Sequence, residues 1–223
     1  MKKRIRQDVE TVISWARQIC AIPSPTGEEG LKAEEIKGRL GAMGYEPHLD
    51  AAGNVIAVLP GKSGKAMLYA AHMDTVFGGL GDIRPKTEGN RLYAPSIGDN
   101  SMNVAGLLYL AQWCRLNDWQ PTDDMIFVFD VGEEGLGNLK GIKQAVLDYK
   151  HRLIGVVAVD GGYEAVADRG VGSRRYRVTI TAEGGHSWAD FGHDSAIAEA
   201  AGIIAKIHAL PLAEQPKTTY NVG

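Results

Sequence analysis

Residues 67–74 read MLYAAHMD, an apolar run that ends in a histidine and an aspartate. Two further apolar runs end at acidic residues: MIFVFDV (residues 125–131) before Glu133 and Glu134, and GVVAV (residues 155–159) before Asp160. Apolar runs without polar alternation are typical of central parallel strands, and α/β sheets bind ligands beyond the carboxyl ends of such strands. The sequence therefore predicts that the polar ends of three strands converge on one site.

A further acidic candidate, Asp99, lies just before the predicted helix NVAGLLYLAQWC, residues 103–114. Together with His72, Glu134 and Asp160 it offers one nitrogen donor and several carboxylates, a set that suits zinc or a similar first-row metal rather than calcium alone. Each acid also has an ordinary interpretation, because Asp99 could cap the helix and the others could occupy surface turns. The hypothesis of a metal site therefore depends on the joint pattern.

The composition is typical of a protein with a substantial core. The 223 residues are 44% hydrophobic, enough for one large domain or for one domain and part of another. A net charge of -3 gives no reason to expect nucleic acid or an anionic membrane as partner. No stretch approaches the ~20 apolar residues of a membrane span, and the start has no signal-peptide core, so we expect a cytoplasmic protein. Cys20 and Cys114 fall in predicted helices, where we expect packing and no catalytic role.

The order of elements predicts an α/β fold over residues 1–172. Helices alternate with strands there, which indicates a largely parallel sheet with helices on both faces. Residues 174–182, RRYRVTITA, alternate like a strand with one solvated face, and residues 196–210 predict a helix that covers the other face. We therefore predict an incomplete metal-binding catalytic domain at 1–172 and part of an α+β domain at 173–223.

Five short motifs follow one another along the chain: His72-Met73-Asp74-Thr75-Val76, Gly98-Asp99-Asn100-Ser101, Gly132-Glu133-Glu134-Gly135, Asp160-Gly161 and Gly184-Gly185-His186-Ser187. In this order and spacing they resemble the M20 family of dinuclear zinc exopeptidases and amide hydrolases. That family includes carboxypeptidases, dipeptidases, tripeptidases and N-deacylases. The resemblance implies a zinc-exopeptidase-like domain followed by the beginning of an inserted lid or dimerisation domain.

The resemblance also implies how the metal ligands divide between two ions. His72 and Asp160 would bind one metal, Glu134 would bind the second, and Asp99 would bridge the two. A complete site would hold two Zn²⁺ ions, for which Co²⁺ or Mn²⁺ could substitute because they accept the same ligands.

Three further roles are implied for residues around the metals. Glu133 would be the general base, and Asp74 would accept the other imidazole N–H of the histidine ligand and fix its orientation. The peptide bond between Asp99 and Asn100 would be cis. His186 would reach across a homodimer, formed through the lid, and stabilise the oxyanion in the partner's active site.

The resemblance implies metal-dependent hydrolysis of a small peptide or an N-acyl amino acid. One departure concerns the last histidine ligand of the family, because no histidine follows His208. The second metal position, with Asp99 and Glu134, is then short of a nitrogen donor. We therefore expect the chain to be a fragment of a longer product or the product of an interrupted gene.

The sequence is also compatible with two other functions. Gly185-His186-Ser187-Trp188-Ala189 approaches the nucleophile elbow G-x-S-x-G of serine hydrolases, although Ala189 replaces its last glycine. A serine hydrolase using Ser187 would be insensitive to chelators, unlike a metal-dependent enzyme. The chain could also be a truncated, non-catalytic remnant with a partial metal site, which an assay of amide hydrolysis would reveal.

Overall fold

The structure is a computed structural model that describes residues 2–162 and 166–223, with side chains from residue 8 onward. This part of the chain divides into two compact units, Met1–Val166 and Ala167–Gly223. The domain boundary predicted at residue 172 lies in the second unit, close to this division.

The first unit contains four α-helices and seven strands among its described residues. Their order is α1 (Lys2–Cys20), α2 (Gly30–Ala42), β1 (His48–Leu49), β2 (Val55–Leu59), β3 (Ala66–His72), β4 (Lys86–Glu88), β5 (Arg91–Tyr93), α3 (Met102–Leu116), β6 (Asp124–Asp130), α4 (Lys140–Tyr149) and β7 (Leu153–Ala158). The second unit contains α5 (Ala196–His208).

Five strands form the main sheet in the order β1-β2-β6-β3-β7, and β4 and β5 form a separate hairpin. Strand β3 is parallel to both β6 and β7, whereas β2 is antiparallel to β6 and to β1. His72 at the end of β3 lies opposite Asp130 at the end of β6. The predicted α/β fold is confirmed, and its parallel part brings the carboxyl ends of β6, β3 and β7 to one edge.

Helices cover both faces of the sheet, as the sequence predicts. Phe127 and Phe129 of β6 pack in a cluster that includes residues of α1, α2 and α3. Ile126 and Val128 point to the opposite face and pack in a second cluster with Ala145 of α4. Because both faces of β6 are buried, its sequence shows a continuous apolar run rather than an alternation.

The strand predicted at residues 174–182 is not formed. No strand is present in the described residues 166–223, and Tyr176 and Val178 are 82% and 65% exposed. A strand needs a partner to pair its backbone groups, and an alternating pattern alone provides none. Helix α5 does form, with Ser195 Oγ accepting the N–H of Ala198 at 3.3 Å, but it buries no residue and so covers no sheet.

The two cysteines lie in helices, as predicted. Cys20 ends α1 and Cys114 lies near the end of α3, and both thiols are free and buried. Burial raises the pKa of each thiol. In the described part of the chain, the helices are too short or too polar to cross a membrane.

Candidate metal centre

His72 ends β3 with its imidazole buried between a carbonyl group and a carboxylate. Nδ1 lies 3.1 Å from the backbone carbonyl oxygen of Asp74, which can only accept a hydrogen bond, so Nδ1 carries a proton. Nε2 lies 3.0 Å from Asp99 Oδ1, also an acceptor. Two acceptors at this distance need a cation between them, which is either a second imidazole proton or a metal ion.

Three ligand atoms surround this position. One atom each from His72, Asp99 and Glu134 lie within 4.8 Å of one another. Asp160 Oδ1, just beyond β7, lies 3.9 Å from His72 Nε2. Ligand atoms around one tetrahedral zinc ion are roughly 3.3 Å apart, so small side-chain rotations would suffice to close this group on an ion. The four predicted metal ligands are therefore brought together at one edge of the sheet.

Asp99 reaches the site from a distorted turn before α3. Its backbone is extended (φ −128°, ψ 90°), and that of Asn100 (φ −130°, ψ 20°) also departs from helical geometry. The peptide bond between Asp99 and Asn100 is cis, as predicted. Asn100 is buried, and its Nδ2 donates to the carbonyl oxygen of Val159 at 3.1 Å, which ties this turn to the segment that carries Asp160.

Asp74 connects β3 to the loop that carries the two glutamates. Its Oδ1 accepts the N–H of Glu133 at 3.0 Å, and its Oδ2 accepts the N–H of Glu134 at 2.9 Å. Thr26 Oγ1 also donates to Oδ2, at 2.9 Å. The sequence prediction had Asp74 orient His72 through its carboxylate, but Oδ1 is 3.5 Å from Nδ1, farther than the carbonyl oxygen. The carboxylate therefore holds the loop at least as much as it holds the histidine.

The backbone N–H groups of Val131 and Gly132, just before the two glutamates, also donate to side chains. The sequence did not predict these contacts. Val131 N donates to Asn54 Oδ1 at 3.0 Å, and Gly132 N donates to Glu29 Oε1 at 3.1 Å. Glu29 lies in the turn PTGEEG, residues 25–30, that leads into α2. Its adjacent glutamates next to a glycine were the available signal.

The site carries more negative than positive charge. Burial, followed by the neighbouring carboxylates, raises the pKa of both Glu133 and Glu134, although His72 opposes this. Burial alone would lower the pKa of His72, but its hydrogen bond to Asp74 and the nearby carboxylates raise it to about 9. Conversely, the hydrogen bonds to Asp74 outweigh its burial and lower its pKa to about 2. Such an excess of carboxylates is an environment that attracts a cation.

Two buried ionisable residues near the site were also missed by the sequence analysis. Asp130, at the end of β6, is 4% exposed, and burial raises its pKa to about 7. Lys32 of α2 is 2% exposed, and burial lowers its pKa to about 8 although the charge of Asp74 opposes the shift. Asp130 could have been noticed as the one charged residue within the apolar run MIFVFDV, whereas Lys32 carries no signal beyond its place in a helix.

His186 lies in the second unit, in a turn that holds its ring. Nδ1 accepts the backbone N–H groups of Trp188 and Ala189, each at 3.3 Å. Asp190 Oδ2 accepts the backbone N–H of His186 at 2.7 Å, and the carbonyl of His186 accepts the N–H of Asp190 at 3.0 Å. In the neutral ring the proton is therefore assigned to Nε2, which is left as a donor.

The surroundings of Ser187 do not resemble a nucleophile elbow. That motif places its serine between a strand and a helix, but no strand precedes Ser187 in the described part of the second unit. The adjacent His186 uses Nδ1 for backbone amides rather than for the serine hydroxyl. The geometry therefore gives no support to the alternative of a serine hydrolase.

The known sequences that are similar to this chain are those of peptidases and hydrolases. A sequence model of peptidase family M28 matches residues 54–158. A Pyrococcus furiosus protein named as a LysW-lysine/LysW-ornithine hydrolase is 31% identical over 79% of this chain and 50% of its own length. A Pyrococcus abyssi protein of the same name is 33% identical over 55% of this chain and 33% of its own length. The chain thus spans at most about half the length of the curated relatives it matches.

Solved structures of peptidases share the fold. Human carnosine dipeptidase 1 aligns with a TM-score of 0.61 and 15% identity, over 72% of this chain and 40% of its own. A tripeptidase from Staphylococcus aureus aligns with a TM-score of 0.57 and 21% identity, over 69% and 44%. A dinuclear metal-binding M20 peptidase from Bacillus subtilis aligns with a TM-score of 0.52 and 15% identity, over 69% and 43%. The fold of this chain is therefore that of M28- and M20-like peptidases.

Proposed function

We propose that this protein is a metal-dependent hydrolase of amide or peptide bonds, of the exopeptidase or N-deacylase type. One observation carries the proposal: His72 Nε2 lies 3.0 Å from Asp99 Oδ1, and ligand atoms of His72, Asp99 and Glu134 lie within 4.8 Å of one another, beside Glu133 with its raised pKa. A metal ion can take the place of the proton between His72 and Asp99, and Glu133 provides a base next to it. The M28 match and the archaeal relatives named as hydrolases support the same reaction class.

The donor set fits a first-row divalent metal. An imidazole nitrogen from His72 and carboxylate oxygens from Asp99, Glu134 and Asp160 are ligands that zinc accepts. We propose Zn²⁺, with Co²⁺ or Mn²⁺ as substitutes, and a pair of ions with Asp99 between them in the complete site. A bound divalent metal supplies Lewis acidity, which polarises a carbonyl group and makes water more acidic.

Glu133 is the proposed general base. Its backbone is fixed on Asp74, while its carboxylate stays close enough to His72, Asp160 and Asp99 for their charges to shift its pKa. A raised pKa makes this carboxylate a better proton acceptor near neutral pH. Glu133 takes a proton from the attacking water and then donates it to the nitrogen of the leaving amine.

His186 is proposed to stabilise the oxyanion that forms on the scissile carbonyl. Because Nδ1 is engaged by two backbone amides, the Nε2–H is available as a donor. Following the resemblance to M20 enzymes, we propose that this donor acts on the active site of a second copy of the chain in a homodimer. The segment from residue 173 onward would then be part of a lid or dimerisation domain.

The proposed substrates are small peptides and N-acyl amino acids. The archaeal relatives are named for hydrolysis of lysine and ornithine conjugates, so amides of these two amino acids are the first compounds to test. Both carry a terminal amino group whose positive charge suits a site rich in carboxylates.

The decisive experiment measures bound metal and hydrolysis together. Elemental analysis of the purified protein should find at least one zinc, cobalt or manganese ion per chain, and His72→Ala should lose it. His151→Ala, at an exposed histidine after α4, is the matched control and should keep the metal. Hydrolysis of dipeptides and N-acyl lysines should stop after chelation and return with added metal.

The outcomes separate the proposal from its rivals. No metal in the wild type, or equal metal in His72→Ala, contradicts the proposed site. Metal without hydrolysis would indicate the non-catalytic remnant, and hydrolysis that resists chelators but stops with serine-directed reagents would indicate the serine hydrolase.

A further inference from the structure

Four consecutive backbone amides, from Val131 to Glu134, all donate to side chains rather than to other backbone groups. The acceptors are Asn54 for the first, Glu29 for the second and Asp74 for the last two. A loop that connects a strand to a helix ordinarily relies on local turns, water or capping for its amides. This loop carries the proposed base, Glu133, and a proposed metal ligand, Glu134. The position of the loop backbone therefore determines where the side chains of both glutamates begin.

Glu29 holds the middle of this loop from a distant part of the sequence. It is 5% exposed, and one oxygen, Oε1, accepts both the N–H of Gly27 at 2.9 Å and the N–H of Gly132 at 3.1 Å. A single atom thus joins the turn before α2 to the loop after β6. Gly132 has φ +65°, which favours glycine, so the loop turns sharply at the residue that Glu29 holds.

The turn that carries Glu29 is itself attached to the end of β3. Thr26 N donates to the carbonyl of Thr75 at 3.3 Å, Thr75 N donates to the carbonyl of Ser24 at 3.1 Å, and Ser24 Oγ donates to the carbonyl of Met73 at 2.8 Å. Thr26 Oγ1 also reaches Asp74. The turn, the end of β3 and the glutamate loop therefore form one hydrogen-bonded unit around the candidate site.

We propose that Glu29 is a positioning residue for this site: by holding Gly132 it sets the backbone from which Glu133 and Glu134 project. The proposal rests on the function proposed above, since it assigns Glu29 a role in the same reaction. Glu29 is not assigned any contact with metal or substrate. Its contribution comes from the acceptor Oε1 rather than from its charge.

The test uses amide hydrogen exchange measured by NMR on the metal-free protein. Glu29→Met keeps the volume but removes the acceptor, and should speed exchange at Gly132, Glu133 and Glu134 by about tenfold, the effect of one lost hydrogen bond. Glu29→Gln keeps a carbonyl oxygen at the same place and should stay within about twofold of the wild type. If Glu29→Met does not fold, the shorter Glu29→Asp withdraws the acceptor from Gly132 and should show the same increase there.

Asp124→Leu is the matched control. Asp124 begins β6 at the end of the strand away from the site, and its Oδ1 accepts the N–H of Gly61 at 2.6 Å. The control should speed exchange at Gly61 and leave the amides of residues 132–134 unchanged. Equal exchange in Glu29→Met and the wild type would overturn the proposal. So would a matching increase at residues 132–134 in Asp124→Leu, because general destabilisation would then explain the result.

Steady-state kinetics give the second readout. Glu29→Met should lower kcat by up to about 100-fold with a smaller change in KM, and Glu29→Gln should restore most of it, because misplacing a base affects the chemical step. An unchanged kcat in Glu29→Met would contradict the positioning role. If the wild type neither binds metal nor hydrolyses amides, the proposed function fails, but the exchange data still show whether Glu29 holds the loop.

Discussion

Asp74 Oδ1 accepts the backbone N–H of Glu133 at 3.0 Å, although the two residues are 59 positions apart. Asp74 lies two residues beyond the histidine that ends β3, and Glu133 lies beyond the end of β6. Because these strands are parallel neighbours, a carboxylate beyond one strand can anchor the loop beyond the other. The consequence is that the candidate ligand His72 and the candidate base are held by the same residue, the imidazole by the Asp74 carbonyl and the Glu133 N–H by the Asp74 carboxylate.

Replacing Asp74 by asparagine should destabilise the protein even without metal. The amide places an N–H₂ donor where the carboxylate accepted a backbone N–H, so at least one donor of the loop loses its partner. We expect a loss of roughly 1–3 kcal/mol in the free energy of unfolding, measured by urea denaturation. Asp148→Asn is the control, since this exposed residue of α4 accepts a hydrogen bond from Gln144 Nε2 at 2.7 Å and should change stability by less than ~0.5 kcal/mol. Equal losses in the two variants would contradict the anchoring role.

Glu133→Gln should abolish most hydrolysis and leave metal binding intact. The substitution keeps the shape and the backbone bond to Asp74 but removes the proton acceptor, so we expect a fall of about 10²- to 10⁴-fold in kcat. Elemental analysis should find the same metal content as in the wild type. Glu28→Gln, at an exposed glutamate, should retain full activity. Loss of metal in Glu133→Gln would instead make this residue a ligand.

His186→Ala should reduce hydrolysis without changing bound metal. Removal of one oxyanion donor costs about 10²- to 10³-fold in kcat. His193→Ala, in the same unit and also exposed, is the control and should have little effect. Mixing His186→Ala with Glu133→Gln should restore part of the activity if the histidine acts across a dimer, and no recovery would indicate that it acts within one chain or not at all.

Lys32 should make stability rise with pH in the alkaline range. Its pKa falls from an ordinary 10.5 to about 8 in the fold, so between these values the unfolded chain binds a proton that the folded chain has released. Stability then increases with pH from about 8 to about 10.5. Urea denaturation of the metal-free protein at several pH values should show this increase relative to Lys32→Met, which cannot titrate. Parallel curves for the two proteins would mean that the lysine keeps its ordinary pKa.

The strand ends were predictable because they depend on local pattern and on one rule of sheet geometry. Apolar runs such as MLYAA identify strands, and parallel strands bring their carboxyl ends to one edge. His72, Glu134 and Asp160 could therefore be placed together before any contact was known. The run GVVAV was wrongly predicted to be central, because β7 lies at the edge of the sheet and is mostly exposed. The alternating pattern at residues 174–182 was less informative, since it indicates a face but provides no partner strand, and no strand is formed there.

The sequence by itself determined the α/β fold and the meeting of one histidine with several carboxylates. Only the tertiary structure decided which groups hold these residues in place. Glu29 is 103 positions from Gly132 and Asn54 is 77 from Val131, so no local periodicity connects them. Side-chain acceptors bind whichever backbone amides the packed loops bring within about 3 Å, and that choice follows from the packing of the whole sheet and its helices.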